Sequence, residues 1–450
     1  MTRALVVGAG LAGLACAFDL ARRGVDVRVI EAGGRAGGVV GTLARDSFLF
    51  ESGPHSVPSG SECFRRLCAE LGLAERLIAS PTRDEPRWLL HQGELVRAPT
   101  SVYALLTTPL LSVVSKLRVV SERWRRFTPP ADGSEPDLEA FLVERVGREA
   151  ALRLGGAFVR GVYAAQLREL GARSAFPQVY ATALEHGGLL RAMGRLARTN
   201  GSDLMSFPGG MQELVDGLVR ALGNRLMLNT GAERIDCRDG RWFVTTTRGA
   251  NLEADALVLA VSAPSAHKLL SNVVRSLPEL AHLARIDHGR IALAHIGFEL
   301  REAPLPRGFG FLVPPDEPGA KVLGMIFSSN LFPGRAPRDH GSVAAFYPWN
   351  ELAALGERER AERVARDLAS VLHWPKAPAI RTSASWSWSD VIPRHAVGHA
   401  ERMRALDLAL ERAAPRLLLA GAYTGGVSVE QVLARGRSCA TARNAERNSA

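Results

Sequence analysis

The sequence predicts an α/β protein with one parallel sheet, one mixed sheet and a helical insertion. A short apolar run at residues 4–7, a glycine-rich turn, a helical stretch and a second apolar run at residues 25–30 indicate the parallel sheet. Apolar runs between residues 292 and 347 indicate the mixed sheet, and helical patterns dominate residues 137–199. We therefore expect sheets that are assembled from segments far apart in the sequence.

Length and composition limit the class of protein. The chain has 450 residues, of which 46% are hydrophobic and 23% charged, as is typical of globular rather than disordered proteins. No apolar run approaches the roughly 20 residues that a membrane-spanning helix needs. The five cysteines form no CxxC pair, so we expect neither a disulfide framework nor a metal site.

The charge balance favours anionic partners. The chain carries 56 Lys and Arg against 46 Asp and Glu, a net charge of +10. Such an excess suits a phospholipid surface, a nucleic acid or a carboxylated substrate, although the base composition of the genome explains it as well. The arginines form no recognisable nucleic-acid-binding module, so nucleic acid is not expected. The amino terminus lacks the apolar core of a signal peptide, which predicts a cytoplasmic protein.

The first forty residues predict a Rossmann-like dinucleotide site. Residues 8–13 read GAGLAG between a strand and a helix, and Glu31 follows the second strand. Gly8 allows the tight turn, Gly10 lets a pyrophosphate approach the backbone, and Gly13 lets the helix lie close to the strand. Glu31 is expected to accept hydrogen bonds from ribose hydroxyls, which disfavours NADP. The residues predicted to bind the cofactor here are Gly8, Ala9, Gly10, Leu11, Ala12, Gly13 and Glu31.

The remaining chain divides into alternating cofactor and substrate segments. After residue 200 strands are expected at residues 225–229, 242–247 and 256–260, and then at 292–298, 310–313 and 342–347. We predict cofactor-binding segments at residues 1–80, 201–265 and 401–450, a helical substrate segment at 81–200 and a substrate sheet at 266–400.

One helical stretch has the pattern of a membrane-surface element. Residues 105–117 are strongly apolar and lead into Arg118, Arg123, Arg125 and Arg126, with Trp124 among them. Such an amphipathic basic region suits an anionic membrane surface. An ordinary helix with a buried stripe and solvated arginines remains the alternative.

The carboxyl-terminal segment favours a flavin over a nicotinamide. A strand at residues 417–420, the loop Gly421–Gly426 and a helix from Val427 to Gly436 would direct a positive helix end towards an electron-rich ring. With Arg35–Gly38 and Phe50–His55, this pattern resembles the FAD-dependent amine oxidase and protoporphyrinogen oxidase superfamily, whose cofactor domain is Rossmann-like, of the GR2 type.

Within that superfamily the whole chain is most similar to the protoporphyrinogen oxidases. The segments FVRGVYA at 158–164, PGGM at 208–211, GFGFLVP at 308–314 and IPRHAVGH at 392–399 carry this resemblance. It implies that Arg87 pairs with a substrate propionate, that Leu312 and Phe346 sandwich the macrocycle, and that the Gly310 carbonyl approaches it. It also implies further FAD contacts at Ala32, Arg35, Gly37, Gly38, Val39, Gly53, Pro54, His55, Ser56, Glu233, Gly421, Ala422, Val427, Ser428 and Val429.

The resemblance further implies the reaction. A hydride would pass from a meso carbon of protoporphyrinogen IX to flavin N5 while the adjacent pyrrole N–H loses a proton. Molecular oxygen would then reoxidise the flavin to give hydrogen peroxide, and three such cycles would complete this step of haem biosynthesis. We assign no catalytic acid or base. His55 is expected to be a hydrogen-bonding neighbour of the flavin.

Several alternatives stay open. Coproporphyrinogen III, another polycyclic metabolite or an amine could be the substrate, and a non-catalytic flavoprotein is the alternative of another class. Residues 346–349 and His55 depart from the family pattern. His395 and His399 have the spacing of a helical metal pair, but Pro393 and the lack of a third ligand argue against metal. Trp386 and Trp388 are expected to pack on a strand. A homodimer and peripheral attachment to the inner face of the cell membrane are further expectations.

Overall fold

A five-stranded parallel sheet forms the base of the cofactor region. The computed structural model describes residues 2–80, 85–199, 203–273, 277–414 and 416–441. The strands of this sheet lie in the order β10 (Leu226–Met227), β2 (Asp26–Ile30), β1 (Arg3–Val7), β14 (Ala256–Leu259) and β20 (Leu417–Leu419). Since β14 and β20 come from the middle and the end of the chain, the expectation of a sheet built from distant segments is confirmed.

Helices cover one face of this sheet, and a small sheet and helices cover the other. One buried cluster joins the sheet to α1 (Leu11–Arg22), α2 (Glu62–Glu70), α11 (Gln212–Leu222) and α19 (Val429–Thr441). A second cluster joins the opposite face to α12 (Ala263–Leu270), α13 (Ala281–Arg285), α17 (His399–Ala413) and the antiparallel strands β11 (Ala232–Arg238), β12 (Arg241–Thr246) and β13 (Asn251–Ala254).

A seven-stranded mixed sheet supports the substrate region. Its order is β19 (Ile380–Pro393), β15 (His288–Glu299), β18 (His340–Pro348), β17 (Gly324–Ile326), β16 (Gly310–Leu312), β7 (Arg87–His91) and β8 (Glu94–Arg97). Only β16 and β7 pair in parallel. The helices on and beside this sheet are α14 (Ser328–Leu331), α15 (Trp349–Leu352) and α16 (Glu357–Val371).

Smaller strands and turns connect the two regions. The strands β3 (Thr42–Arg45) and β4 (Phe48–Glu51) form a hairpin, and β5 (Val57–Pro58), β9 (Leu204–Ser206) and β6 (Ile78–Ala79) form a short sheet. The 3₁₀ turns are Ala74–Arg76, Glu122–Trp124, Leu167–Glu169, Gly223–Arg225 and Pro278–Leu280. The short helix α18 (Ala422–Gly425) precedes α19.

A helical layer packs against the mixed sheet. Its helices are α3 (Val102–Thr107), α4 (Val113–Ser121), α5 (Leu138–Val146), α6 (Arg148–Ala150), the π-helical turn Ala151–Gly156, α7 (Ala157–Tyr163), α8 (Ala172–Ala175), α9 (Pro177–His186) and α10 (Leu189–Thr199). The apolar stretch at residues 105–127 is therefore two helices and a turn, with Pro109 between the helices because proline lacks the amide that a helix interior needs. In the described part of the chain, no helix is long and apolar enough to cross a membrane.

A buried ion pair anchors this layer. Arg145 and Glu122 are 1% and 0% exposed, and their side chains are 2.6 Å apart. Glu122 also accepts hydrogen bonds from the amides of Leu189 and Leu190, the first residues of α10. Since a helix's first amides have no partner within the helix, this carboxylate holds α10 against the turn at 122–124.

Candidate functional site

The glycine-rich turn after β1 has the shape of a cofactor cradle. A Cβ atom on Gly8 would lie 2.4 Å from the Ala260 carbonyl oxygen, and one on Gly13 would lie 2.0 Å from the Gly8 oxygen. A Cβ on Gly10 would meet no atom within 4 Å, so open space lies above the amino-terminal end of α1. Free amides of a first helical turn beside open space fit a pyrophosphate. The strand, turn and helix therefore suit the ADP half of FAD.

Glu31 and Arg35 organise the loops beside this cradle. The two Glu31 carboxylate oxygens accept hydrogen bonds from the amides of Ala9 and Gly33, each at 2.8 Å. Each oxygen keeps a second lone-pair site, so a ribose hydroxyl can still bind there. Arg35 donates to the carbonyls of Gly38 and Val40 and so closes its own loop. The sequence did not indicate either internal role.

The loop after β4 is fastened to the mixed sheet. His295 on β15 donates from Nε2 to the Glu51 carbonyl at 2.9 Å, and Trp388 on β19 donates from Nε1 to the Ser52 carbonyl at 2.9 Å. The expectation that Trp388 lies on a strand is confirmed. Gly53 lies so near Val39 that a Cβ atom would be 2.4 Å from the Val39 oxygen. These contacts bring the predicted residues 53–56 and Val39 between the two sheets.

His55 is a buried, neutral imidazole at this junction. Its ring stacks on His295 with centres 5.5 Å apart and lies 5.8 Å from the ring of Phe346. Burial, with the nearby Arg335 guanidinium, lowers the pKa of His55 to about 4. Nδ1 lies 3.0 Å from the Gly53 carbonyl and must carry the proton there, because a carbonyl only accepts. Nε2 is then a lone-pair acceptor, and no described residue donates to it.

Glu51 and Arg335 form a buried polar pair behind His55. Arg335 donates to Ser206 Oγ at 2.8 Å and lies 3.4 Å from the Glu51 carboxylate. Burial raises the pKa of Glu51 to about 7, although Arg335, the Thr42 hydroxyl and the Met211 amide act in the opposite direction. Glu51 lies within the segment Phe50–His55, but its pairing with Arg335 was not predictable, because the two residues are far apart in the sequence.

The four residues predicted to bind substrate share one face of the mixed sheet. Leu312 on β16 lies opposite Gly324 on β17, which lies opposite Phe346 on β18. Arg87 on β7 lies opposite Gly310, two residues before Leu312 on its strand. Because paired residues and residues two apart on a strand share a face, these side chains point the same way.

Two glycines and one arginine define that face further. Gly310 has φ +131°, and a Cβ there would lie 2.0 Å from the Met325 oxygen, so the tight backbone requires glycine. Gly161 on α7 comes so close to Leu312 that a Cβ would lie 2.5 Å from Cδ2. The exposed Arg87 guanidinium lies 5.6 Å from the ring centre of Phe309 and makes no ion pair with a described residue. The site thus has an apolar floor with a cation beside it that has no ion-pair partner among the described residues.

Two stacked histidines hold the carboxyl-terminal loop. The His395 and His399 rings lie 4.5 Å apart and nearly parallel. His395 Nε2 lies 3.1 Å from the Ala422 carbonyl, and His399 Nε2 lies 2.7 Å from the Tyr423 carbonyl. The two histidines do not lie on one helix, because His399 is the first residue of α17 and His395 precedes it. Among the described residues no group suited to a metal ion is found.

The remaining predicted contacts lie at the ends of these elements. Ser428 and Gln431 cap α19, which begins at Val429, and the helix predicted from Val427 therefore starts two residues later. Val427 packs against the helical layer in the same cluster as Leu312. Glu233 is exposed at a bulge of β11, and a Cβ atom on Gly231 would lie 3.2 Å from the Ala32 Cβ. The described contacts thus bring the segment around residue 10 next to Gly37, and Val39 next to Gly53.

Comparisons with known proteins match this architecture. The chain is 29% identical to the chloroplastic protoporphyrinogen oxidase of Nicotiana tabacum, over 94% of this chain and 82% of that protein. It is 25% identical to coproporphyrinogen III oxidase of Bacillus subtilis, over 96% of both chains. A solved structure from Exiguobacterium sp. 255-15, assigned as a protoporphyrinogen oxidase, has 25% identity and a TM-score of 0.85 over 99% of both chains.

A family model sets the class of the whole chain. The model for flavin-containing amine oxidoreductases matches residues 11–442. Cyclohexylamine oxidase from Brevibacterium oxydans, with 18% identity and a TM-score of 0.71 over 99% of both chains, shares the fold. The predicted FAD cofactor and the predicted class of FAD-dependent oxidase are confirmed by the family and by the relatives. The chain belongs to the flavin-containing amine oxidoreductase family.

Proposed function

We propose that the protein oxidises protoporphyrinogen IX to protoporphyrin IX in haem biosynthesis, with molecular oxygen as the electron acceptor. The observation that carries this proposal is the shared sheet face beside the loop at residues 53–56. On this face lie Leu312, Phe346 and Arg87, which forms no ion pair with a described residue. An apolar macrocycle with propionates needs an apolar floor and a fixed cation. The names of the relatives support the same substrate class.

Each residue has a role in binding or orientation. Arg87 pairs with a propionate, since a guanidinium presents two parallel donors to a carboxylate. Leu312 and Phe346 contact the macrocycle, and the backbone at Gly310 lets it approach. FAD would be held by the residues of the glycine-rich turn at 8–13, by the loop at 53–56 and by Glu31, Ala32, Arg35, Gly37, Gly38, Val39, Glu233, Gly421, Ala422, Val427, Ser428 and Val429. These roles orient the substrate against the cofactor rather than donate or accept a proton.

Bound FAD supplies the two-electron acceptor, and repeated cycles remove six electrons from the porphyrinogen. The protein excludes water at the junction of the two sheets, where His55 and His295 are buried and neutral. His55 contributes an uncharged acceptor at Nε2 beside Phe346. Neither histidine has to gain or lose a proton during the reaction. The site therefore fits an oxidation whose driving force is the formation of an aromatic macrocycle.

Coproporphyrinogen III is the second candidate substrate. It carries four propionates where protoporphyrinogen IX carries two, and it would need more cations. Arg160 on α7 is half-buried next to Gly161, donates to the Pro314 carbonyl and has no carboxylate partner among the described residues. A second cation near Leu312 therefore favours testing both substrates. An amine is disfavoured because Tyr423, the aromatic residue of the carboxyl-terminal loop, is buried.

Aerobic oxidation of both porphyrinogens by the FAD-loaded protein tests the proposal. Porphyrin fluorescence is followed against the spontaneous rate, with Arg87→Ala beside the wild type and Arg28→Ala, an exposed arginine on β2, as the control. We expect faster turnover of protoporphyrinogen IX and a KM about tenfold higher in Arg87→Ala, from loss of one charge-assisted pair. Preference for coproporphyrinogen III would reassign the substrate, and turnover of neither would refute the proposal.

We also propose that the protein is cytoplasmic and docks on the inner face of the cell membrane. Val113, Val114 and Leu117 on α4 and Trp124 are exposed, Val114 by 77% and Trp124 by 75%. A concavity of about 300 Å³ beside Trp124 is lined by four arginines, Arg123, Arg125, Arg126 and Arg191, and by one carboxylate, Glu185. None of these arginines forms an ion pair with a carboxylate of the described residues. Exposed apolar side chains beside unpaired cations suit an anionic lipid surface.

A further inference from the structure

A second cavity lies on the far side of the histidine pair from the predicted cofactor contacts. It has a volume of about 460 Å³ and lies between residues 278–287 and residues 394–405. None of its lining residues belongs to the predicted FAD or substrate contacts. Its size is within the range of small-molecule sites, and the proposed porphyrinogen oxidation gives it no role.

The walls combine free cations with apolar surface. Arg394 is neutralised by Glu169 at 2.8 Å and Asp287 at 2.6 Å. Arg285 and Arg402 line the cavity without a carboxylate partner in the described ranges. Apart from that ion-paired group the charged residues are these two arginines and Glu279, and the apolar lining is Pro278, Ala281, Ile286, Ala396 and Ala405. An anion with an apolar body complements these walls.

A directed chain of hydrogen bonds joins this cavity to the carboxyl-terminal loop. The Tyr423 carbonyl only accepts, so His399 carries its proton on Nε2, and His399 Nδ1 must then accept from His282 Nε2 at 3.1 Å. His282 Nδ1 in turn accepts from Arg402 Nε at 3.3 Å. Burial lowers the pKa of His282 and of His399 to about 4, so both rings are neutral and the direction is fixed.

We propose that this cavity binds a small monocarboxylate with an apolar body, held by Arg285 and Arg402, and that its binding is transmitted to the flavin loop through His282, His399 and the Tyr423 carbonyl. A carboxylate that accepts from the Arg402 guanidinium draws it away from His282 Nδ1. His282 then loses its donor, and the bonds to His399 and Tyr423 readjust. The loop that moves is the one that carries the predicted FAD contacts Gly421 and Ala422.

Binding is tested by titration calorimetry of the FAD-loaded protein with octanoate, with octanol as the uncharged control. We expect octanoate to bind and octanol to bind about tenfold more weakly or not at all. Arg285→Gln and Arg402→Gln each lower the octanoate affinity about tenfold, whereas Arg404→Gln, an exposed position two residues along α17, does not. Glu279→Gln tightens binding, because it removes a carboxylate of the wall that has no ion-pair partner in the described part of the chain. Both arginines are exposed, so their substitution leaves the fold intact.

Transmission is tested by the visible absorption spectrum of the bound flavin. Octanoate is expected to produce a difference spectrum in the wild type that His282→Leu abolishes while octanoate still binds. A wild type that binds no octanoate, or affinities unchanged in both arginine variants, would overturn the site. A spectrum that octanoate leaves unaltered would overturn the transmission. Loss of octanoate binding in Arg87→Gln would show that the probe occupies the substrate face instead. None of these measurements depends on porphyrinogen turnover.

Discussion

A substitution at Gly10 is expected to affect binding of the cofactor without affecting the stability of the fold. Its φ is −71° and a Cβ would meet no protein atom within 4 Å, so the protein itself tolerates alanine there. A methyl group would occupy the space that a pyrophosphate needs. We expect Gly10→Ala to keep the melting temperature of the cofactor-free protein and to weaken FAD binding by about tenfold or more, as one or two lost amide contacts predict.

Gly13→Ala is the informative comparison, because its Cβ would collide with the Gly8 backbone at 2.0 Å. That variant should lose stability without FAD as well. Flavin titration and thermal unfolding of both variants make the measurement. An equal loss of cofactor-free stability in the two variants would contradict the assignment of open space at Gly10.

Glu51 is expected to make the stability of the protein fall as the pH rises. Its pKa is about 7 in the folded protein and 4.5 when exposed, so the folded state binds the proton more tightly. Stability is then lost as pH rises from 4.5 to 7, by up to about 3 kcal/mol for a shift of this size. Glu51→Gln removes that loss.

Urea unfolding of wild type and Glu51→Gln at about pH 5 and about pH 8 tests this expectation. The free energy of unfolding of the variant minus that of the wild type should be larger at the higher pH than at the lower pH, by up to about 3 kcal/mol. The buried histidines also make stability depend on pH, in the opposite direction, because their pKa values are lowered. This contribution is the same in both proteins, so it cancels in the difference. A difference that is independent of pH would mean that Glu51 is ionised throughout.

At the scale of elements, the two histidines of the segment at residues 392–399 hold the carboxyl-terminal loop in place. His395 precedes α17 and His399 is its first residue, and each ring is hydrogen-bonded to one carbonyl of the short helix α18. His395→Phe keeps a stacking ring and removes one hydrogen bond to the Ala422 carbonyl. We expect its FAD affinity to fall about tenfold, the loss for one buried hydrogen bond, with the midpoint of the flavin potential altered as well. Unchanged affinity and potential would show that the loop is held without this bond.

Sequence patterns predicted the elements better than the contacts between them. The strands at 4–7, 256–260 and 292–298 follow from apolar runs, and their positions agree with the structure to within a few residues. The break between α3 and α4 follows from Pro109, whereas the exact starts of α4 and α19 depend on the capping contacts of Ser112 and Ser428. Glu51 with Arg335 and His295 with the Glu51 carbonyl join segments more than 240 residues apart, so no local pattern could indicate them.

At the scale of the molecule, three stretches of chain form one cofactor sheet, and the mixed sheet lies against it through the loop at residues 51–56. The GAGLAG turn predicted this sheet because its strand, turn and helix form one local unit. The shared face of Arg87, Leu312 and Phe346 was not predictable from spacing, since strand register across β7, β16, β17 and β18 sets it. These residues were predicted from the family resemblance. The strand register explains why their side chains lie on the same face of the sheet.

Membrane docking also belongs to this scale, because apolar contact and charge act together. When the protein docks, the exposed apolar side chains of α4 become buried in the membrane surface. The net charge of +10 and the four arginines of the concavity attract anionic lipids. We expect the protein to sediment with liposomes of phosphatidylglycerol at low salt and to be released at high salt, since screening weakens exposed charges. Val113→Ser with Val114→Ser and Leu117→Ser should abolish sedimentation. Leu408→Ser, which removes an exposed leucine from α17, should not. Equal sedimentation of both variants would place the docking surface elsewhere, and indifference of the wild type to liposomes at every salt concentration would exclude docking.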